Sequence, residues 1–221
     1  SIESLARSLL QNPLEIHIQS ATPQPAVIAQ RAVYTDTHQR TQLLKHLIQT
    51  EHLKQLLVFV ATQHSSEMVA AKLRVAGIAA EPFHGQLSQG KRQQVLADFK
   101  AHRVKVVLAT DLAARGLDIE KLPAVVNYDL PRSAVDYTHR IGRTGRAGET
   151  GLAISFVCPD TLHHWGLIEK RHSVKLQRET IPGFEATQPV PETGLGNGGI
   201  KGKRPSKKDK LRQLAACAKP R

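Results

Sequence analysis

The 221 residues include only two cysteines, Cys158 and Cys217, and these form no Cys-x-x-Cys pair. That count and spacing exclude a disulfide framework and a zinc knuckle, and the expectation is a reducing, intracellular and cytoplasmic setting. The eleven histidines contain no His-Glu-x-x-His spacing, so His163, His164 and His172 read as surface residues and no metal site is expected. No apolar run approaches membrane-spanning length and no signal peptide opens the chain, so no membrane partner is expected. The phosphate-binding loop Gly-x-x-x-x-Gly-Lys-Ser/Thr is also absent. Its nearest approach runs from Gly85 to Gly90 and Lys91, where Arg92 stands in place of the hydroxyl that would hold Mg²⁺. The first residue is Ser1 rather than Met, from which an excised piece of a longer protein is expected.

Acidic residues are outnumbered, 19 Asp and Glu against 31 Lys and Arg, for a formal net charge of +12. The excess is uneven. From Gly194 to Arg221 nine Lys/Arg face the single Asp209, so that segment carries +8 and everything before it +4. A basic tail on a nearly balanced globule points to an anionic polymer, nucleic acid ahead of a membrane surface. Glycines and prolines from Pro182 to Gly199 predict disorder from about Gly183 onward.

Between the ends, strand-like and helix-like segments alternate. Residues 56–61, 78–83, 104–109, 124–128 and 151–158 are short apolar runs rich in β-branched residues. Helical patterns cover about 65–76, stopping at Gly77, and 89–100, with Val95, Leu96 and Phe99 on the apolar face. The alternation predicts an α/β domain with a parallel sheet covered by helices on both faces. Residues 1–18 read as one helix and a short strand set apart by the break at 20–25. The expected organisation is 1–25, 26–182 and a flexible basic tail over 183–221.

The most distinctive stretch is His139-Arg140-Ile141-Gly142-Arg143-Thr144-Gly145-Arg146. Helix geometry would stack Arg140, Arg143 and Arg146 on one face, and the glycines would let a backbone or phosphate approach. Arginine keeps its charge and forks onto phosphate oxygens, so such a face suits a polyanion or charge developing during phosphoryl transfer.

Ligands of open parallel sheets bind where strands end and helices begin. The residues just past three of these strands are rich in hydroxyls, glycines and basic side chains, the groups that hold phosphates. They include Thr62 and Ser65, then His84, Gly85, Gln89 and Arg92, then Thr110, Arg115, Gly116 and Asp118. Asp118 suits a ribose hydroxyl. Thr62 and Ser65 also suit helix capping, Gly85 a simple turn, and Gln89 with Arg92 an ordinary exposed pair.

In chain order, VFVATQ (58–63), HGQLSQGKR (84–92), ATDLAARGLD (109–118) and YTHRIGRTGR (137–146) resemble motifs IV, IVa, V and VI in the second RecA-like domain of DEAD-box RNA helicases. The resemblance spans about residues 1–182, with the opening like the end of the first RecA-like domain and the interdomain linker. It implies ATP with Mg²⁺, bound mainly by that first domain, as cofactor, and RNA as partner. Arg143 and Arg146 would be arginine fingers on the γ-phosphate, with His139 meeting the first domain's catalytic motifs. Asp118 would bind the ribose, with Gly116 beside it on the nucleotide side. Thr62, Gly85, Gln89, Arg92, Thr110 and Gly116 would follow the RNA backbone. Gln63 departs from the Lys or Arg that the family often has there, and no Asp-Glu-Ala-Asp occurs. The resemblance therefore implies the C-terminal half of an ATP-dependent RNA helicase, inactive alone as an ATPase. A non-catalytic RNA-binding protein and a DNA helicase or translocase domain are the other readings.

Overall fold

Four strands of the computed structural model are four-residue runs in which nearly every side chain is buried: Leu56–Phe59 (β2), Ala80–Phe83 (β3), Val106–Ala109 (β4) and Ala124–Asn127 (β5). Only strands with helices over both faces can bury consecutive side chains in this way. The structure describes residues 28–115, 119, 122–145 and 150–191. Ile28–Tyr34 (β1), Gly151–Val157 (β6) and Arg178–Glu179 (β7) complete a seven-stranded sheet of order β3-β4-β2-β5-β6-β1-β7, parallel at every pairing. The helices are Arg40–Thr50 (α1), Gln63–Val75 (α2), Gln89–Lys100 (α3), Asp111–Ala114 (α4), Ala134–Ile141 (α5) and Leu162–His172 (α6).

Strand register assigns each core its face. Leu56, Val58, Val106, Leu108, Val126 and Ile154 pack with Leu43, Leu44, Leu47 and Ile48 of α1 and Val69, Ala70 and Leu73 of α2. The alternate residues Leu57, Phe59, Val107, Ala109 and Val125 meet Val95 and Phe99 of α3 and Ala113 and Ala114 of α4. Farther along that second face, Ala32 and Val157 pack with Tyr137 of α5 and with Trp165 and Ile168 of α6.

The predicted α/β architecture is the one observed, and the structure adds β1, α1, α4, α6 and β7. The expected disorder from about Gly183 does not hold for the first residues of that segment. Ile181 and Phe184 pack on the α1–α2 core, and Phe184 lies 5.2 Å from the His46 ring. Beyond them, Thr187 donates its backbone N–H and hydroxyl to the buried Asp36 at 2.9 and 2.8 Å, and the Gln188 N–H adds a third bond at 3.2 Å. These bonds hold the Asp36 carboxyl below the usual carboxylate range. The segment predicted over 1–25 and the basic tail from 194 lie outside the described residues. Among the described residues no helix is long and apolar enough to cross a membrane.

Candidate functional site

Strands β3, β4 and β2 are neighbours in the sheet, so the loops after them lie side by side at its carboxyl edge. Gly85 follows β3, Thr110 follows β4 and Thr62 follows β2, which brings three of the predicted backbone-binding positions together. Thr62 caps α2 by accepting the Ser65 N–H at 3.0 Å, and the two hydroxyls are 2.8 Å apart. The capping role is therefore real, and Thr62 stays exposed beside it. Gly85 faces Gln63, whose amide nitrogen lies 4.0 Å from where a Cβ would stand. Ser88 caps α3 by accepting the Lys91 N–H at 3.2 Å, so that Gln89 opens the helix, exposed. Arg92, one turn on, lies with its guanidinium carbon 5.3 Å from the centre of the Phe83 ring. Thr110 leads into α4 with its hydroxyl uncommitted to capping.

The expectation of three arginines on one helical face is overturned. Helix α5 ends at Ile141, and the chain turns through Gly142 to Thr144, which pairs with Leu122 across a parallel bridge and donates its hydroxyl to the Leu122 carbonyl. Gly145 has φ +66°, a left-handed conformation that disfavours any side chain, and a Cβ on Gly151 would collide with its backbone nitrogen. A turn so tied to two neighbouring segments cannot continue as helix.

Arg140 and Arg143 consequently do different things. Arg140 is 2% exposed. Its Nε and Nη2 donate to the two Asp111 oxygens at 2.6 and 2.8 Å, and Nη1 donates to Asn127 Oδ1 at 3.1 Å and to the Asp129 carbonyl at 2.7 Å. The guanidinium also lies 4.9 Å from the centre of the Phe59 ring. Asn127 in turn donates to Ser155 at 3.0 Å, so a polar wedge runs into the sheet beneath α5. His139 is exposed and Arg143 partly so, and both line a hollow of about 20 Å³ with Phe59, Asp111, Ala114, Arg115, Asp136 and Arg140. An adjoining cleft of about 350 Å³ shares Asp111, Arg115, Asp136 and Arg140 and extends past Thr110 to Ala61 and Arg132. Arg115 donates to Asp136 at 3.1 Å, joining α4 to α5 where the two depressions meet.

Two carboxylates that sequence reasoning passed over organise this edge. Asp111 holds Arg140. Asp129 accepts the Ala61 N–H at 2.7 Å and pairs with Arg40, which stacks 4.6 Å from the centre of the Tyr128 ring. Burial is the largest single influence on the Arg40 charge and opposes it, but Asp129, Tyr128 and Cys158 together raise the pKa above its ordinary value. Both aspartates sit two residues past a strand end, a placement legible in the sequence beside the basic residues. Cys158, past β6, is buried and unpaired, and burial pushes its thiol up to about 11, so it has no nucleophilic part here. Arg146, Gly116 and Asp118 lie outside the described residues. Among those described, no group of three or more His, Cys, Asp and Glu could hold a metal.

Comparison with known proteins agrees with this geometry. The helicase conserved C-terminal domain family matches residues 39–148. The ATP-dependent rRNA helicase rrp3 of Aspergillus niger is 37% identical over 182 residues, which is 82% of this chain and 39% of that protein. The E. coli DEAD-box protein SrmB, solved bound to regulator of ribonuclease activity A, is 33% identical with a TM-score of 0.70, over 76% of this chain and 99% of that one. S. cerevisiae Dbp5 bound to RNA and ADP BeF3 is 29% identical with a TM-score of 0.66, over 81% of this chain and 48% of that one. The chain thus spans well under half the length of the curated relative. With the parallel sheet, the strand-end loops and the arginine motif on one edge, these matches identify the chain as a member of the DEAD-box RNA helicases, corresponding to their C-terminal, RecA-like domain.

Proposed function

We propose that this domain supplies one wall of an ATPase site and part of an RNA track in a two-domain helicase, the other wall coming from an N-terminal RecA-like domain. The observation that carries this is the size and lining of the hollow at His139 and Arg143. About 20 Å³ holds roughly one water-sized group and cannot enclose a nucleotide. Side chains suited to phosphate therefore stand at an open surface and need a second surface to close the site. ATP with Mg²⁺, held chiefly by that second domain, supplies the phosphoryl group whose charge must be neutralised in the transition state. Arg143, joined by Arg146, would meet that charge as a finger, and His139 would contact the opposing domain's catalytic residues. Asp118 and Gly116 would serve the nucleotide at the ribose side.

On the same edge, Thr62, Gly85, Gln89, Arg92, Thr110 and Gly116 would follow the RNA sugar-phosphate chain, which makes recognition largely independent of sequence. The 350 Å³ cleft at Thr110, walled by Arg115 and Arg132, offers room for a sugar-phosphate unit next to the finger. Coupling follows from this adjacency, because one rigid edge touches both ligands. The nine basic residues of 194–221 would add sequence-independent attraction for RNA. A cytoplasmic site of action fits such a protein.

The test is phosphate release. The 221-residue chain should release none above background, with or without RNA. The intact protein should be stimulated by single-stranded RNA and much less by DNA of the same sequence, which lacks the 2′-hydroxyls. Equal stimulation by DNA would favour the translocase reading, and no hydrolysis by the intact protein would favour a non-catalytic RNA binder.

A further inference from the structure

On the sheet face opposite α5, a groove between α1 and α2 encloses about 510 Å³. That is within the range of about 300–1,000 Å³ in which proteins hold compact ligands and side-chain anchors. Its walls divide by chemistry. Ala71, Leu73, Val75 and Ala76 of the α2 C-terminal region, with Lys72, make one side, and His38, Thr41, Gln42 and Lys45 the other. Val75 is 91% exposed, the most exposed large apolar side chain among the described residues.

The lining contains no carboxylate. Lys45 and Lys72 make no ion pair or side-chain hydrogen bond among the described residues. Arg74, in the same turn as Lys72, is committed elsewhere, donating to the Ala80 carbonyl at 2.9 Å and lying 3.8 Å from Glu81.

We propose that this groove docks a short acidic segment of a partner protein, which places one apolar side chain against Val75 and Leu73 and its carboxylates on Lys45 and Lys72. Charge decides among the occupants. The chain's own tail carries +8 and a second copy +12, so both are repelled from a lining that carries Lys45 and Lys72. RNA would find its phosphates answered but its bases poorly matched, because the α2 wall is aliphatic and His38 is the single ring among the lining residues. An acidic peptide with an apolar anchor satisfies both halves of the lining. The site lies across the sheet from His139 and Arg143, so docking would leave the catalytic edge open.

The probe is a short fluorescein-labelled peptide of alternating glutamate and serine with one central phenylalanine, titrated into the full chain by anisotropy and mapped by amide NMR. Saturable binding is expected, with shifts centred on Lys45, Lys72 and Val75. Replacing the phenylalanine by serine should weaken binding about tenfold. Lys45→Glu with Lys72→Glu, and separately Val75→Asp, should each weaken it about tenfold or more. All three side chains reach solvent, and an unchanged melting temperature shows that each variant folds. The proposal is overturned by no saturation up to about millimolar peptide, by equal affinity for the serine control, by variants that bind as tightly as the parent, or by single-stranded RNA shifting the same amides and displacing the peptide. Self-association abolished by Val75→Asp would assign the groove to a second copy and overturn it equally.

Discussion

Both faces of the sheet bury hydrocarbon, but they differ in what else they bury. Beneath α1 and α2 the packed cluster is aliphatic and aromatic, and the buried Ser66 hydroxyl turns back to the Gln63 carbonyl of its own helix. Beneath α5 the sheet presents Asn127 and Ser155, and Arg140 inserts between them and Asp111. Burying a guanidinium costs free energy unless every donor is matched, so such a wedge is a poor way to gain stability. What it fixes is position. Arg140 pins the last turn of α5 to the ends of β4 and β5, and three residues later the chain presents Arg143 at the edge. One face holds the fold together, and the other holds a charge in place.

That contrast ranks substitutions by their effect on unfolding. Arg140→Ala should cost most, about 3–5 kcal/mol by urea denaturation, because it strands Asp111 and the Asn127 amide oxygen without their donor. A loss below about 1 kcal/mol would mean that the wedge is not energetically coupled to the fold. On the other face, Ile154→Val in the fully buried aliphatic core should cost only about 0.5–1.5 kcal/mol. If this change proved the costlier one, the division between the faces would fail.

The smallest effect is confined to acid. Asp36 has its folded pKa depressed by the Thr187 and Gln188 donors, so its stabilisation is complete above the unfolded value of about 4 and is lost as pH falls through the lower folded value. Urea midpoints compared at about pH 7 and about pH 3 should therefore drop less in Asp36→Asn than in the parent chain. Identical drops would show that the 184–188 strap contributes nothing at that carboxylate.

The fold was largely legible because β2 and β4 are uninterrupted apolar runs and β5 and β6 are broken only by Asn127 and Ser155, and a run of that kind reads the same whatever packs on it. Strand β1 is harder to read. Gln30 and Arg31 interrupt it, and their partners lie far along the chain: Tyr137 donates to Gln30 at 2.9 Å, and Arg31 forks onto Glu51 and Glu179. The 184–188 strap reads as loop for the same reason, since Asp36 is some 150 residues away. Within the arginine motif, local sequence offers three equivalent side chains. Only the tertiary partners Asp111, Asn127 and Asp129 reveal that Arg140 is structural, and only the Thr144–Leu122 bridge reveals that the helix has already ended.

The central claim is that Arg143 acts on phosphate while Arg140 places it. The most direct measurement is RNA-stimulated ATP turnover by the intact helicase carrying Arg143→Ala, with RNA affinity read in parallel. Turnover is expected to fall ~10³-fold or more, with RNA affinity within about threefold of the parent. Turnover at the parental rate would contradict the account and return Arg143 to an ordinary surface arginine.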